Sequence, residues 1–252
     1  MTKDIASLYC ERIFDRFGYL AAWLPGADVK IGDRGGLTGR LWSRDGRVPT
    51  RLLRSGYRVG HPMDDFEWCS DRGIEILPKA AGELMAVIPE VDQANAGLGI
   101  RFAKRGGIVI RASGITVSEL DDPTALMHWM EDEAQAGRLA AETLVVTRVV
   151  RAECCSVFVG DRSGARVAMQ VKASVDPIAP LAALDAGAVF RGKSGEALCL
   201  SMPGGSTPLF GGLKVSDRWL RGTRIEDVVL GDRGTPAIPE LVAEPIEAVA
   251  LP

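Results

Sequence analysis

Apolar and polar residues alternate along residues 143–175 more regularly than anywhere else in the chain. One face of the second half of this stretch carries Val167, Met169, Val171, Ala173 and Val175. Mostly polar residues lie between them, and Asp161-Arg162-Ser163-Gly164 supplies a turn after a first, more uniformly apolar strand. The pattern predicts a β-hairpin. Its strands suit a half-buried sheet and, at roughly 9–11 residues, also the thickness of a lipid bilayer.

A second pair of apolar runs precedes this stretch. Residues 97–102 and 107–111 flank the turn Lys104-Arg105-Gly106, which predicts another hairpin. A further strand is expected at residues 209–215, after a turn through residues 203–208.

Helical periodicity is confined to two segments. Residues 3–17 repeat apolar side chains at three- and four-residue steps, and Gly18 follows as a stop signal. The second helix starts at a cap formed by Asp121 or Asp122, has Pro123 in its first turn and closes at Gly137. Its apolar stripe consists of Leu126, Met127, Trp129, Met130 and Ala134.

Strands outnumber helices, and short turns join most neighbouring strands. This order predicts an α+β fold, with a twisted, mostly antiparallel sheet and helices packed on it. The character of the sequence changes after Leu230, where an acidic, proline-containing stretch without periodicity begins. We predict one domain over residues 1–230 and a tail over residues 231–252.

Composition narrows the function classes. The chain has 252 residues, 46% hydrophobic and 25% charged, and its net charge of −3 does not favour nucleic-acid binding. It has no apolar run long enough for a membrane-spanning helix, and its first residues lack the apolar core of a signal peptide, so we expect a cytoplasmic protein. None of its five cysteines forms a Cys-x-x-Cys pair, which favours free thiols over a zinc site.

Charge is distributed unevenly. Residues 28–58 contain eight basic and three acidic residues, whereas residues 225–252 contain six acidic residues and one basic residue. Each cluster taken alone is typical of a solvated surface. Their opposite signs also suit a tail that docks on the basic segment.

Groups suited to catalysis are scarce. The two histidines, His61 and His128, lie in a Gly-His-Pro turn and in the second helix. Residues 187–194 match the phosphate-loop pattern, but neither a buried strand before them nor a helix after them is expected. A thiol of Cys154 or Cys155 acting with His128 is supported by residue type alone. We predict that the chain is not an enzyme and needs no cofactor or metal.

The order of elements resembles the pore-forming domain of gasdermins and, by length, the bacterial type. Three patches carry the resemblance, at residues 107–137, 143–150 and 198–210. It implies a protein that is cytoplasmic and autoinhibited until a protease releases its C-terminal tail. The freed domain would oligomerise in the inner membrane as a β-barrel and cause cell death, as in antiphage defence. We expect no counterpart of the large inhibitory domain of animal gasdermins.

The resemblance also implies partners and candidate residues. The partners are anionic lipids, further copies of the chain and an activating protease, without nucleic acid. Cys10 is the candidate for palmitoylation. The candidate lipid contacts are Arg12, Arg16, Lys30, Arg34, Arg40, Arg44 and Arg47. The candidate membrane hairpins are residues 81–112 and 143–175. The candidate membrane-hairpin residues are Val109, Val145, Val149, Val167, Met169 and Val171. The candidate tail latch consists of Ile238, Leu241, Val242 and Ile246.

Two other readings of the sequence remain open. A non-enzymatic α+β module that binds a small ligand or a protein would keep the fold without a membrane step. An enzyme using a cysteine thiol with His128 ranks behind it.

Overall fold

The computed structural model of the protein describes residues 4–24, 27–79, 97–171, 181, 184, 188–190, 197–218 and 222–228. The helices are α1 (Ile5–Phe17) and α2 (Thr124–Gln135), and a 3-10 helix spans Thr50–Leu53. The strands are β1 (Leu20–Ala21), β2 (Asp33–Thr38), β3 (Leu41–Arg47), β4 (Tyr57–Val59), β5 (Phe66–Cys69), β6 (Ile74–Lys79), β7 (Gly97–Phe102), β8 (Ile108–Ser113), β9 (Thr116–Leu120), β10 (Thr143–Gly160), β11 (Arg166–Val171), β12 (Ala188–Phe190), β13 (Ala197–Arg218) and β14 (Gly222–Asp227). Each registered strand pairing in the described residues is antiparallel, which confirms the predicted α+β class.

Both helices begin and end where local chemistry places them. The Asp4 carboxylate accepts the Ser7 N–H at 2.7 Å to cap α1, and Gly18 ends that helix in the left-handed conformation at φ 70°. The Asp122 carboxylate accepts the N–H of Thr124, the first residue of α2, at 2.9 Å, although the N-cap position itself is Pro123. Pro123 lies just before the first helical residue rather than inside the first turn.

The chain forms two compact units. The described residues of unit 1 fall in Met1–Met63, Ile115–Ala152 and Ser206–Glu240, and those of unit 2 fall in Asp64–Gly114 and Glu153–Gly205. Strands β10 and β13 each contribute residues to both units.

The sheet of unit 1 has the strand order β1-β13-β10-β2-β3. In addition, β14 pairs with β13, β9 pairs with β10, and β4 pairs with β9. Helix α1 packs against β1 and β3, and α2 packs against β14 and the 3-10 helix. The core joins Phe14 of α1, Leu126 and Met130 of α2, and Val145 and Val149 of β10. Helix and sheet thus bury the apolar stripes that the sequence indicates.

Unit 2 consists of two packed layers of strands. One layer has the order β5-β8-β10-β13, and the other has the order β6-β7-β11-β12. Val109 and Phe158 of the first layer pack into one cluster with Ile100, Val167 and Met169 of the second. The unit is therefore a small β-sandwich within the described residues.

The two predicted hairpins were wrong in their pairing. Strand β11 pairs with β7 and β12, not with β10, and β7 pairs with β6 and β11, not with β8. At each predicted turn the chain passes from one layer of the sandwich to the other. The part of the first candidate hairpin at residues 80–96 and the part of the second at residues 172–175 lie outside the described residues.

Two predicted boundaries also differ. Strand β10 runs for 18 residues, well past the predicted strand at its start. Strand β13 runs for 22 residues through Pro203 and Gly204, where the sequence predicts a turn. The next residue, Gly205, has a positive φ of 99°, so the departure from regular strand geometry falls on a glycine. Strand β14 was not expected from the sequence.

Candidate functional site

Most of the candidate lipid contacts in unit 1 are held by protein partners. Lys30 lies 2.8 Å from Asp28, and Arg34 lies 3.0 Å from Asp45. The Arg40 guanidinium lies 3.4 Å from the ring centroid of Phe14. This cation–π contact joins the turn before β3 to α1. The basic segment therefore has a smaller free positive charge than its composition suggests.

A buried carboxylate organises the remaining arginines of this segment. Asp33 is 0% exposed and accepts the backbone N–H of Lys30 at 2.9 Å. Its oxygens lie 3.0 Å from Arg47 Nε and 3.4 Å from Arg44 Nη1. Arg47 also donates to the Ile31 carbonyl at 3.1 Å. Because a buried charge requires a partner, these arginines stabilise the turn before β2.

Other basic side chains of unit 1 face solvent. Arg16 at the end of α1, with Arg51 and Arg54 around the 3-10 helix, is exposed, and within the described residues the structure records no ion pair for these three. Arg12 is half-buried and does have an interaction partner. Of the seven candidate lipid contacts, Arg16 is thus the most available.

The candidate lipidation residue points inward. Cys10 is 0% exposed, and its thiol donates to the Ala21 carbonyl at 3.6 Å. Burial, followed by the nearby charges of Asp4 and Glu11, raises the pKa of the Cys10 thiol to about 12. Since the thiolate is the reactive species, acylation in this conformation requires α1 to move away from β1.

The candidate membrane-hairpin residues divide between the two units. Val145 and Val149 belong to the core of unit 1. Val109, Val167 and Met169 belong to the core of unit 2. The side chain of Val171 lies outside the described residues, as do the four latch candidates Ile238, Leu241, Val242 and Ile246. The structure therefore places the candidates of β8 and β11 together, and those at the start of β10 elsewhere.

A buried arginine in unit 2 was missed by the sequence analysis. Arg111 on β8 is 7% exposed along its side chain, and it pairs with Glu67 on β5 and, at 2.8 Å, with Asp65. Ser156 lies directly opposite on β10, and its hydroxyl lies 3.3 Å from that of Ser201 on β13. The sequence signal was a single arginine inside an otherwise apolar strand.

A second polar pair lies within unit 1. Arg148 on β10 pairs with Glu119 directly opposite on β9 and hydrogen-bonds the hydroxyl of Tyr19. Burial raises the pKa of the Tyr19 hydroxyl, and the Arg148 charge opposes that shift. Both arginines fix which strands lie side by side, because an ion pair between strands fits one register.

The structure gives little support to chemistry at the other sequence candidates. Ala188–Phe190 form β12, which pairs with β11, so that part of the phosphate-loop match is strand. His128 is exposed on α2 in unit 1, while Cys154 and Cys155 lie in unit 2. The described residues contain no cluster of three or more His, Cys, Asp or Glu side chains able to hold a metal ion. Neither described helix has the length and apolar character needed to cross a bilayer.

Comparisons with known proteins give a likeness to solved structures only. No protein-family model matches the chain, and no curated protein matches it. Among solved structures, the chain is similar to the structure of a bacterial gasdermin from Bradyrhizobium tropiciagri, with 16% sequence identity and a TM-score of 0.33. The match covers 86% of this chain and 89% of that chain. A likeness of this size does not assign the chain to a family.

Proposed function

We propose that this chain is an autoinhibited pore-forming protein without an enzymatic step. It waits in the cytoplasm and binds the anionic surface of the inner membrane after release of its C-terminal tail. Several copies then join their strands into a membrane-embedded β-barrel. The resulting leak kills or permeabilises the cell, a role suited to antiphage defence.

The observation that carries this proposal is the construction of unit 2. Its described residues come from two stretches of the sequence, 64–114 and 153–205, which are 51 and 53 residues long. Strands β8 and β10, one from each segment, are neighbours. If each segment extends into one hairpin, each arm has about 25 residues, whereas a tilted strand crosses a bilayer in about 9–11. Both segments are therefore long enough to span the bilayer and return.

The same construction supports self-association. A pair of hairpins ends in strands whose outer N–H and C=O groups have no partner, and hydrocarbon offers none. Pairing with the hairpins of neighbouring copies satisfies these groups and closes the ring. A large homo-oligomer is therefore the active form that this geometry favours.

Unit 1 supplies the membrane contact in this proposal. The exposed side chains of Arg16, Arg51 and Arg54 favour an anionic surface by about 1 kcal/mol each. Arg34, Arg44 and Arg47 contribute less, because protein carboxylates already hold them. Cys10 becomes available for a lipid only when α1 leaves its site on β1.

Residues 231–252 are the proposed inhibitory tail, with Ile238, Leu241, Val242 and Ile246 as its apolar latch. Its acidic composition opposes binding to an anionic membrane as long as the tail stays attached. A protease that removes the tail is the proposed trigger.

The test uses the full-length chain with a specific protease site inserted after Leu230. Cleavage beside dye-filled vesicles containing phosphatidylglycerol is expected to release the dye, and uncleaved protein is expected not to. Vesicles of phosphatidylcholine alone should leak far less. Intact anionic vesicles after complete cleavage would contradict the proposal. A protein that binds these vesicles but stays monomeric would favour the ligand- or protein-binding module.

A further inference from the structure

One layer of unit 2 has two strand edges. In the order β5-β8-β10-β13, β5 lies at one end and β13 lies at the other. Among the strands that the structure describes, none pairs with the outer side of β5 or with the outer side of β13 at residues 197–202. These are edges at which the proposed function allows neighbouring copies to join. Each edge carries a cysteine, Cys69 on β5 and Cys199 on β13.

One row of opposed residues crosses the layer from the first of these cysteines. Cys69 opposes Val109 of β8, and Val109 opposes Phe158 of β10. Ser156 lies on the same face of β10, and its hydroxyl lies 3.3 Å from the hydroxyl of Ser201 on β13. The row through Phe158 therefore lies two residues from a contact that joins β10 to β13.

The register between β10 and β13 extends this row to Cys199. Just before β10, the Glu142 N–H donates to the Val215 carbonyl at 2.9 Å. This pair and the serine pair are separated by the same number of residues on both strands, so one antiparallel register joins β10 to β13. Two residues beyond the serines, Phe158 opposes Cys199.

Both cysteines face the inside of the sandwich, too far apart to bond within one copy. Val109 and Phe158 belong to the core of unit 2, and the half-buried Cys69 and Cys199 pack against it as free thiols. Neighbouring strands are about 4.8 Å apart, so three steps across the layer separate the two cysteines by about 14 Å. A disulfide requires Cα atoms within about 7 Å of each other. Any disulfide between Cys69 and Cys199 in this arrangement therefore joins two copies.

We infer that Cys69 of one copy meets Cys199 of the next copy in the assembled pore, and that a peroxide joins them in a disulfide. This inference rests on the proposed function and adds to it the register of the junction and a redox lock. One thiol is oxidised by hydrogen peroxide to a sulfenic acid, and one water is released. The second thiol displaces the sulfenic oxygen as another water, and the S–S bond forms. Two thiols thus lose two electrons and two protons in total, and the peroxide takes them up.

The directions of the two edge strands suit this junction. Strands β5 and β13 run in opposite directions, because three antiparallel pairings separate them. The outer side of β13 in one copy can therefore continue the sheet by antiparallel pairing with β5 of the next copy. Opposed Cα atoms of antiparallel strands lie about 4.5–5.5 Å apart, within reach of a disulfide. Because each copy supplies one edge of each kind, the junctions are head-to-tail and can close into a ring.

The neighbouring side chains match when the two cysteines oppose each other. On the face of the cysteines, the carboxylate of Glu67 meets the hydroxyl of Ser201. On the other face, aromatic side chains meet aliphatic ones, Trp68 with Leu200 and Phe66 with Met202. Opposed pairs of these kinds stabilise the pairing of two strands.

A shifted junction matches less well. The smallest shift that keeps every side chain on its own face is two residues. In either direction this shift sets Cys199 against a carboxylate, that of Asp71 or that of Glu67. It also sets an apolar side chain of β13 against Ser70 or Asp64. The side chains therefore favour the junction in which the two thiols meet.

The thiols are protected from oxidation before assembly. Burial, with the nearby charge of Glu67, raises the pKa of the Cys69 thiol to about 12, and burial raises that of Cys199 to about 11. Since the thiolate is the reactive species, both thiols react slowly in the folded single copy. The disulfide thus locks a junction that assembly has already made.

The test uses the full-length chain with the protease site after Leu230 and with Cys10, Cys154 and Cys155 replaced by alanine. This parent is cleaved beside vesicles containing phosphatidylglycerol, treated with hydrogen peroxide, blocked with N-ethylmaleimide and run on a denaturing gel without reductant. We expect a series of dimers, trimers and larger species that dithiothreitol converts to single chains. Uncleaved protein treated in the same way should stay a single chain.

Variants of the parent test the head-to-tail junction and its register. Cys69→Ser or Cys199→Ser alone should give no cross-linked species. An equal mixture of the two variants should give dimers and nothing larger, because each copy then keeps one thiol. The matched register control is Cys69→Ser with Glu67→Cys, which moves the thiol by two residues on the same face. It should cross-link to less than a tenth of the parent's extent.

The outcomes separate this inference from the proposed function. Dye release by the cleaved parent without any cross-linked species overturns the thiol junction and leaves pore formation standing. Dimers from either single variant overturn the head-to-tail junction, and cross-linking of the register control at the parent's extent overturns the register. Failure of both the parent and the native chain to release dye overturns the proposed function, and the junction with it. Should the parent alone fail, the cross-linked species of the native chain are digested, and absence of the Cys69–Cys199 peptide pair by mass spectrometry overturns the inference.

Discussion

The bend between β10 and β11, at residues 161–164, contains Gly164, and its replacement should weaken the folded form of unit 2 relative to the extended strands of the proposed pore. Gly164 has φ 77°, a region that suits glycine, and a Cβ there would meet no atom within 4 Å. Gly164→Val therefore introduces no clash. It adds only the left-handed backbone cost of about 1–2 kcal/mol to the folded sheet. An extended strand of the proposed membrane hairpin accepts valine without this cost, because valine favours β conformation.

This difference sets the expected magnitude. A cost of 1–2 kcal/mol on one of two states changes their ratio by a factor of about 5–30. Gly164→Val should therefore speed dye release from anionic vesicles after tail cleavage by about that factor. The rate is measured by stopped-flow fluorescence at equal protein concentration.

Gly137→Val is the matched control. Gly137 also has a positive φ, 69°, and open space around its Cβ position, but it follows α2 in unit 1. Both variants should lower the free energy of unfolding in urea by similar amounts. Only Gly164→Val should accelerate leakage. Equal leakage rates for the two variants would show that general destabilisation, and not the bend, controls release, and would refute the reasoning.

Three further predictions concern single sites. Asp33→Asn should lower the free energy of unfolding in urea by about 1–3 kcal/mol, because Arg47 loses its buried, charged partner. Asp45→Asn removes an exposed partner of Arg34 and should lower it by less than about 1 kcal/mol. Equal losses would contradict the structural role of Asp33. Burial raises the pKa of the Cys10 thiol from 9.0 to about 12, so the neutral thiol contributes fully to the free energy of unfolding below pH 9, and this contribution is lost as the pH rises to 12. The difference in free energy of unfolding between the native protein and Cys10→Ala should therefore shrink over that range. A constant difference would contradict burial of the thiol. A polarity-sensitive dye on Val167→Cys should enter an apolar environment in activated, vesicle-bound protein, while the same dye on Arg166→Cys should stay in water, because adjacent residues of a strand face opposite sides. Identical spectral shifts would contradict the proposed membrane strand.

The distribution of arginine partners shows a limit of reasoning from composition. The sequence presents residues 28–58 as a basic segment that suits anionic lipid. Folding brings Asp33 under Arg44 and Arg47, and Asp45 beside Arg34. Formal charge is additive along a sequence, but the charge that a membrane meets depends on which carboxylates lie nearby in space.

The sequence by itself determined the local elements. Apolar residues at helical steps, an aspartate cap and a following glycine are signals within a few residues of one another, and α1 and α2 appear where these signals lie. Apolar runs likewise located β8 and the first part of β10. Alternation located β11 and its apolar face, because the two faces of a strand follow from its own geometry. The α+β class followed from the order of these elements.

Only the tertiary structure decided which strands pair and where each one ends. Alternation fixes the faces of a strand but not its neighbours, so adjacent runs such as β10 and β11 were expected to pair and instead lie in different layers. Strand β13 continues through Pro203 and Gly204 because tertiary pairing outweighs a local preference for a turn. The turns at residues 104–106 and 161–164 were visible in the sequence, but the flanking strands pair with distant strands and not with each other, which no local pattern specifies.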